Sequence, residues 1–435
     1  MRIAIAFVAT LALGSGCGSS IGDGSTPDAG GGDSGDGERP PTIDAGASAP
    51  VCTPVELPAT CTPSWYADAE CDPSNNLEAC EWDGGDCCPA SCAAPACGDY
   101  GYDCRDPAAG GGGLEPPALI GDPCARVSDP LAADRLRAEV ALLSSDELVG
   151  RRPGSTSDRV TRRYLEERFA CLGLEPADGG CHQQPFLTDD GDPTANVIGV
   201  IPGSDPAVAD QIIVVGAHHD HLGVLAGRVH NGANDNASGT AALAAIADAV
   251  ARSATPPRRT LVFVAFGAEE IGLLGSIHYA AHPPAGLAME HVVYMVNLDM
   301  LGTYDVADGV DGFGTFAGTP GRAILEEILV DHPGLDVALG VASPDDDSDY
   351  DPFCEAAIPY VYFETFDPPC WHEACDDVGR MDFAHMSELV HVLHAVVIGL
   401  ASTDTDLQAA RAEVGCGAPL DDQGGASPPL GRPDR

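Results

Sequence analysis

Residues 212–221 read Ile-Ile-Val-Val-Gly-Ala-His-His-Asp-His, an apolar run that ends in imidazoles and a carboxylate. A short apolar run bounded by polar residues is typical of a strand buried on both faces. Strands that alternate with helical patterns predict an α/β domain with a mostly parallel central sheet sandwiched by helices. The apolar runs are 196–201, 212–216, 260–266, 292–298 and 359–363, and the helical patterns include 131–143, 160–172, 238–251 and 322–329.

Side chains that bind metals follow four of these runs. In a sheet of this kind, ligands bind at the carboxyl ends of the strands, so we expect these side chains to meet at one edge. Imidazoles and carboxylates without thiolates suit zinc in a hydrolytic site. The side chains, together with an aspartate that precedes a helical pattern, are His218, Asp220, Asp235, Glu269, Glu270, Asp299 and His372.

Five motifs in this region resemble the di-zinc aminopeptidase family that includes aminopeptidase S, leucyl aminopeptidases and the transferrin-receptor-like peptidases. The resemblance covers roughly residues 131–403 and implies the zinc exopeptidase fold for a domain spanning residues 125–404. The motifs are Gly216-Ala-His-His-Asp-His-Leu-Gly223, Gly232-Ala-Asn-Asp-Asn-Ala-Ser-Gly239, Ala265-Phe-Gly-Ala-Glu-Glu-Ile-Gly272, Asn297-Leu-Asp-Met300 and Cys370-Trp-His-Glu-Ala-Cys-Asp376.

This resemblance implies two zinc ions and a role for each of these side chains. It makes Asp235 the carboxylate shared by both ions, His218 and Asp299 the other ligands of one ion, and Glu270 and His372 those of the second. It implies that Glu269 is the general base and that Asp220 orients the imidazole of His218. We expect His219, His221 and His230 to support the ligands or face solvent, and Ser348 and Asp349 match a segment near the substrate.

The last motif is most similar to the aminopeptidase S branch, which implies a disulfide between Cys370 and Cys375. The sequence departs from that branch at Trp371, where a tyrosine hydroxyl is thought to donate a hydrogen bond to the tetrahedral intermediate. The indole of Trp371, or Tyr350 or Tyr360, would have to supply that donor. Losing such a donor costs about 10²–10³ in rate.

The implied function is removal of N-terminal residues from peptide or protein substrates. Three alternatives stay open: a carboxypeptidase of the same family, a glutaminyl cyclase-like enzyme that uses the same fold with one zinc, and an inactive peptidase-like adhesion or binding protein. The formal net charge of −46 would repel phosphate backbones, so nucleic acid is excluded as a partner.

The amino terminus predicts export. Residues 1–17 have the pattern of a signal peptide, and Cys17 follows small residues as in a lipoprotein, so that a lipid on Cys17 would attach the chain to the outer membrane. We therefore expect either a cell envelope lipoprotein or an extracellular protein. The 17 cysteines fit an oxidising compartment, and residues 18–50 predict a disordered linker.

Residues 51–107 form a Cys-rich module with few aliphatic side chains, and the segment around Trp82 resembles a Notch-type repeat of the pappalysin kind. That resemblance implies one Ca²⁺ bound by Asp72, Asn75, Asp83 and Asp86, because calcium prefers oxygen ligands. In the next domain, Cys171 and Cys181 are close enough in sequence to bridge a short loop. Residues 405–435 are polar and predict a disordered tail.

Overall fold

The computed structural model describes residues 70–72, 75–76, 78–84, 86–92, 97–99, 101–109, 121–177, 180–341 and 348–411. The predicted signal peptide at 1–17, the linker at 18–50 and the start of the Cys-rich module lie outside the described residues. So does the part of the predicted tail after residue 411.

The elements follow one another as the apolar patterns predict, and all five apolar runs lie in strands. The strands are β1 (Glu175–Pro176), β2 (Gln183–Leu187), β3 (Pro193–Ile201), β4 (Ile212–His218), β5 (Gly223–Leu225), β6 (Arg228–His230), β7 (Thr260–Phe266), β8 (Val292–Leu298), β9 (Val310–Phe313), β10 (Val337–Val341) and β11 (Tyr360–Glu364). The helices are α1 (Glu81–Gly84), α2 (Ala133–Leu143), α3 (Thr156–Leu172), α4 (Gly239–Ala251), α5 (Leu274–Ala281), α6 (Tyr304–Ala307), α7 (Pro320–Leu329), α8 (Asp351–Glu355), α9 (Phe383–Ser402) and α10 (Leu407–Arg411).

One nine-stranded sheet runs through the domain in the order β1-β3-β7-β4-β8-β11-β9-β10, with β2 paired to β3. Its centre is parallel: β4 pairs with β7 and β8, and β8 pairs with β11, in the same direction. Antiparallel pairs flank this centre, between β3 and β7 and between β9 and β11. The carboxyl ends of the four parallel strands therefore meet at one edge.

The sheet is covered on both faces because alternate residues of each strand point to opposite sides. In β4, Ile213 and Val215 pack in a core with α2, α3, α4, α7 and α9. Their neighbours Ile212 and Val214 pack in a second core with residues of α5 and α8. Burying each such side chain contributes roughly 1.5–3 kcal/mol. The helix-sheet-helix arrangement is the one predicted.

Helix α9 is long and apolar enough to cross a membrane by length and composition alone. Half of that apolar window is buried inside the protein, where it packs on the sheet, and the core helix of a soluble protein passes the same test. Asp382 caps its start by accepting hydrogen bonds from the amides of Ala384 and His385.

Two predictions about this region are wrong. Cys171 pairs with Cys124, not with Cys181, which is disulfide-bonded elsewhere. The pairing brings the end of α3 to the start of the domain, a contact that sequence distance does not reveal. The predicted disordered tail is ordered up to residue 411, because Leu407 is buried and Arg411 donates to the carbonyls of Met289 and Val292.

Disulfides hold the described part of the Cys-rich module: Cys71–Cys87, Cys88–Cys104 and Cys92–Cys97. Hydrogen bonds connect the four residues predicted to bind calcium. The amide of Asp72 donates to the Asp83 carboxylate at 2.8 Å, and the amides of Asp83 and Asp86 donate to the carbonyls of Asn75 and Asp83. Asn75 and Asp83 are fully buried.

Candidate metal centre

The parallel strands deliver the predicted ligands to one edge of the sheet. His218 is the last residue of β4, Asp299 follows β8 directly, and Glu270 follows β7 after a short turn. His372 lies in the loop after β11, and Asp235 lies in the irregular segment that precedes α4. The structure brings all five side chains together, although they come from distant parts of the chain.

Asp235 lies between the two imidazoles and faces each with a different oxygen. Its Oδ1 lies 3.3 Å from Nε2 of His218, and its Oδ2 lies 3.3 Å from Nε2 of His372. Asp299 Oδ1 lies 3.3 Å from His218 Nε2, and Glu270 Oε2 lies 3.0 Å from His372 Nε2. The donors thus form two sets that share one carboxylate.

The burial and the spacing of these donor atoms, in addition to their chemical type, fit zinc. Asp299 Oδ1 is buried, and apart from the His218 imidazole 3.3 Å away it has no hydrogen-bond partner among the described residues. A buried carboxylate oxygen with so few donors is costly, and a cation would satisfy it. Clusters of side-chain donors close enough to hold one ion are His218 with Asp235 and Glu270, and His218 with Glu269 and Asp299. The residues present fit zinc.

Asp376 holds the shared carboxylate in place. Its two side-chain oxygens accept hydrogen bonds from the amides of Asn234, at 2.8 Å, and Asp235, at 2.9 Å. Gly232 begins this segment with φ 57°, and an added Cβ there would lie 2.0 Å from the carbonyl oxygen of Asp235. Only glycine allows so close an approach. Asp376 lies just after the disulfide loop of His372, so it joins the two ligand segments.

Asp220 acts on the glutamates rather than through the contact that the sequence predicts. Its carboxylate accepts hydrogen bonds from the amides of Glu269, at 3.1 Å, and Glu270, at 3.3 Å. Its Oδ1 lies 3.8 Å from Nδ1 of His218, whereas its backbone carbonyl lies 3.3 Å from that nitrogen. The carboxylate of Asp220 therefore fixes the turn that carries both glutamates, and its backbone faces the imidazole.

The three remaining histidines near the ligands have different surroundings. His221 is buried, and its Nδ1 bonds to Oε1 of Glu270, so it orients that carboxylate. His219 is also buried and lies 3.2 Å from the carbonyl oxygen of Ala195. Nδ1 of His230 lies 3.0 Å from the carbonyl of Arg228. His221 is therefore the one of the three that contacts a predicted ligand directly.

A disulfide closes the loop that carries His372. Cys370 and Cys375 are paired, which confirms the bridge that the resemblance implies. The ring of Trp371 stacks on His372 with centroids 4.1 Å apart, and the side chain is 45% exposed. Tyr350 and Tyr360 stack on each other at 4.3 Å in the second core, so neither takes the place of Trp371 beside the metal ligand.

Burial and crowded charges shift the pKa values of these groups. Burial raises the pKa of Glu269 well above its usual range, and the carboxylates of Glu270, Asp349 and Asp299 raise it further. Burial would lower the pKa of His218, but Glu269 and Asp299 outweigh it and raise that pKa. Against the effect of burial, hydrogen bonds to Asp235 and Glu270 raise the pKa of His372 to about 10.

Ser348 and Asp349 lie beside this cluster, as the resemblance implies. Ser348 Oγ donates to Asp299 Oδ2 at 2.8 Å and accepts from the Asn297 side chain. Asp349 is fully buried, and burial together with the neighbouring carboxylate of Asp299 raises its pKa to about 7. The segment therefore supports Asp299 from the side opposite His218.

Sequence patterns did not identify Asp376 or the buried Arg151, which donates a hydrogen bond to the backbone carbonyl of His219, and they left His221 between supporting a ligand and facing solvent. Asp376 and Arg151 act through backbone groups of segments far away in the chain, so no spacing reveals them. A weak signal existed for Asp376, because it stands beside Cys375 in the last motif. For Arg151 the sequence carries no such signal.

Comparisons with known proteins agree with this geometry. Residues 196–397 match Peptidase family M28, and residues 50–87 match the Notch LNR domain. The chain is 30% identical to leupeptin-inactivating enzyme 1 of Streptomyces exfoliatus over 56% of this chain and 52% of that protein. It is 31% identical to aminopeptidase YwaD of Bacillus subtilis over 46% of this chain and 44% of that protein. The chain thus spans about half the length of these curated relatives.

Two solved structures show the fold. The zinc aminopeptidase BSAP from Bacillus subtilis superposes with a TM-score of 0.52 at 17% identity, over 65% of this chain and 98% of that one. A glutaminyl cyclase from Porphyromonas gingivalis superposes with a TM-score of 0.51 at 17% identity, over 62% of this chain and 99% of that one. The predicted fold class is confirmed. The zinc aminopeptidase and the glutaminyl cyclase share this fold.

Proposed function

Because residues 196–397 match Peptidase family M28, we propose that this chain is an exported zinc exopeptidase that removes N-terminal residues from peptides. The observation that carries the proposal is the position of Asp235, which turns one oxygen toward His218 and the other toward His372. A carboxylate placed in this way suits a pair of cations.

The residues present divide between two ions. His218, Asp299 and one oxygen of Asp235 would hold the first, and His372, Glu270 and the other oxygen of Asp235 would hold the second. When bound, two such ions lower the pKa of a water molecule and polarise the carbonyl of the scissile bond. The chain itself supplies the orientation of the ligands, through Asp376, Asp220 and His221.

Glu269 is the residue that would move the proton. Its Oε2 lies 3.9 Å from Nε2 of His218, farther than the 3.3 Å of the Asp235 and Asp299 carboxylates, so it faces the centre from the edge of the His218 donor set. A carboxyl group whose pKa is raised by burial accepts a proton from water and returns it to a leaving amine near neutral pH. The Asp220 carboxylate holds the amide of Glu269 and so fixes its position.

The charge of the site favours a substrate with a free amino terminus. Buried carboxylates surround the centre, and the chain carries a formal net charge of −46, which attracts a cationic α-ammonium group. The exposed indole of Trp371 lies beside His372, where its N–H is available to hydrogen-bond a substrate carbonyl. Two relatives of the chain are an aminopeptidase and a leupeptin-inactivating enzyme.

The change Glu269→Gln tests this assignment. The variant keeps the shape of the side chain but cannot accept a proton, so we expect kcat on aminoacyl anilides to fall by about 10²–10⁴-fold while two zinc ions still bind. Metal content by atomic emission and steady-state kinetics give the two readouts. Wild-type activity should also disappear with a zinc chelator and return with zinc. Full activity of the variant would remove Glu269 as the base.

Metal content and substrate choice separate the alternatives. A glutaminyl cyclase-like enzyme would bind one zinc and convert N-terminal glutamine without releasing an amino acid. A carboxypeptidase would act on peptides with a blocked amino terminus and a free carboxyl group. An inactive binding protein would leave all three substrates unchanged while the Cys-rich module still bound its partner.

We also propose that the Cys-rich module binds Ca²⁺ through Asp72, Asn75, Asp83 and Asp86. The hydrogen bonds among these residues, within the segment closed by the Cys71–Cys87 bridge, support this, as does the match to the LNR domain. Export, with or without a lipid on Cys17, rests on the amino-terminal sequence and on the disulfides of both regions. Calcium titration of the intact protein and fractionation of the producing cell test these points.

A further inference from the structure

Arg151 is a buried cation that the proposed chemistry does not use. Its side chain is only 1% exposed, and no carboxylate among the described residues lies within ion-pair distance of it. Burying a guanidinium group is costly unless all its N–H groups find acceptors. The acceptors that it does find are therefore informative.

The guanidinium group donates four hydrogen bonds, all to backbone carbonyls. Nε donates to the carbonyl of His219 at 2.9 Å. One terminal nitrogen donates to the carbonyl of Leu143 and, at 2.7 Å, to that of Asn231. The other terminal nitrogen donates to the carbonyl of Gly232 at 3.1 Å. His219 is the neighbour of the ligand His218, and Asn231 and Gly232 begin the segment that carries Asp235. One side chain therefore ties together the end of α2 and the two ligand segments.

The backbone that presents Arg151 is strained. Val149, Gly150 and Arg151 have φ angles of 44°, 69° and 53°, so three successive residues are in the left-handed region. A β-branched residue such as Val149 is rarely found there. An added Cβ on Gly150 would lie 2.3 Å from the carbonyl oxygen of His230, so the turn also packs tightly against the next segment. Such strain persists where the surrounding structure fixes it, often at functional sites.

From these contacts we infer that Arg151 is a positioning residue that sets the spacing between the His218 and Asp235 segments, and so the affinity of the site for zinc. The inference rests on the proposed zinc function. Planar, forked donors reach carbonyls on three segments at once, which the single ammonium of lysine cannot do. Groups that orient metal ligands typically change metal affinity or activity by 10–100-fold when they are replaced.

Arg259 offers a matched control. It is equally buried and also donates to backbone carbonyls, those of Leu400, Thr403 and Thr405, with a further bond to the Gln211 side chain. It precedes β7, at the end of the sheet opposite the ligands. Loss of Arg259 should therefore destabilise the fold without changing the metal site.

The test compares Arg151→Met and Arg151→Lys with Arg259→Met in the full chain. Zinc affinity is measured by competition with a chromophoric chelator, and thermal unfolding of the metal-free proteins is measured in parallel. We expect both Arg151 variants to bind zinc about 10–100-fold more weakly, whereas Arg259→Met lowers Tm and keeps the wild-type affinity.

If Arg151→Met does not fold, Arg151→Lys loaded with cobalt gives a second readout, because the visible spectrum of the ion reports its coordination. A spectrum altered relative to wild type supports the inference, and an identical spectrum contradicts it. Wild-type zinc affinity in the Arg151 variants, or a loss equal to that of Arg259→Met, would overturn the inference. Failure of the wild-type protein to bind zinc would instead overturn the proposed function beneath it.

Discussion

At the scale of one residue, the surroundings of Asp235 fit the role of a shared metal ligand. Hydrogen bonds from His218 and His372 lower the pKa of its carboxyl group despite burial, which raises it. Two amides held by Asp376 fix the backbone behind it. The sequence predicted Asp235, because it lies in a recognisable motif, but it could not predict Asp376, whose contact spans 141 positions.

Zinc binding should release protons. In the metal-free protein the pKa values of His218 and His372 are raised, the latter to about 10, so both imidazoles are protonated at pH 7. Zinc binds only the neutral ring, so each histidine must lose its proton, and zinc affinity must fall as the pH is lowered. Calorimetric titration in two buffers of different ionisation enthalpy should give different heats at pH 7.

The change His372→Ala is the control for that measurement, because it removes one of the two protons and should reduce the difference between the buffers. Equal heats for the wild-type protein in both buffers would mean that neither imidazole holds a proton before the metal arrives.

At the scale of elements, the central strands were predictable, and β9 and β10 at one side of the sheet were not. The strands β4, β7 and β8 are buried along nearly their whole length and consist mostly of apolar residues, because helices cover both faces. By contrast, β10 alternates between partly buried and exposed residues, and β9 contains Asp311 and Gly312, so neither forms an apolar run. The ligands follow the central strands, which is why most of the site could be predicted.

The disulfide loop after β11 should control how well His372 is held. The change Cys370→Ala with Cys375→Ala removes a loop-closing bridge that, for so short a loop, contributes about 2 kcal/mol of ordering free energy. We expect zinc affinity to fall by roughly tenfold, which corresponds to 1.4 kcal/mol. Chelator competition measures this.

Its matched control is Cys92→Ala with Cys97→Ala. That bridge also joins cysteines five positions apart, but it lies in the Cys-rich module. Zinc affinity should stay at the wild-type value there. An equal loss in both double variants would show that general destabilisation, and not the His372 loop, is responsible.

At the scale of the whole molecule, the end of the Cys-rich module packs on the catalytic domain near Arg151. The carbonyl of Asp99 accepts from the amide of Gly227 at 2.8 Å, and the carboxylate of Asp103 accepts from the amide of Thr156 at the start of α3. Arg105 is buried and donates to the carbonyl of Gly154 at 2.9 Å. The sequence predicted two separate units but not this contact, because it joins backbone groups rather than a patterned apolar surface.

Removing this contact should destabilise the protein. In the variant Asp103→Ala with Arg105→Ala, two hydrogen bonds to backbone groups and one ion pair are lost, at about 0.5–1.5 kcal/mol for each bond. We expect the free energy of unfolding in urea to fall by about 1–3 kcal/mol. The exposed pair of Arg163 and Glu167 is the comparison, since Arg163→Ala should change stability by less than about 0.5 kcal/mol. A double variant as stable as Arg163→Ala would contradict the role of this contact.

The loop that carries His372 also has a consequence for synthesis. Translation proceeds from the amino terminus, so His218, Asp235, Glu270 and Asp299 leave the ribosome well before the final imidazole. Until that segment is made, the nascent polypeptide lacks one of the two histidines of the proposed metal site. A prematurely terminated product would therefore have an incomplete site, and the bridge between Cys370 and Cys375 would hold the last imidazole only where thiols are oxidised.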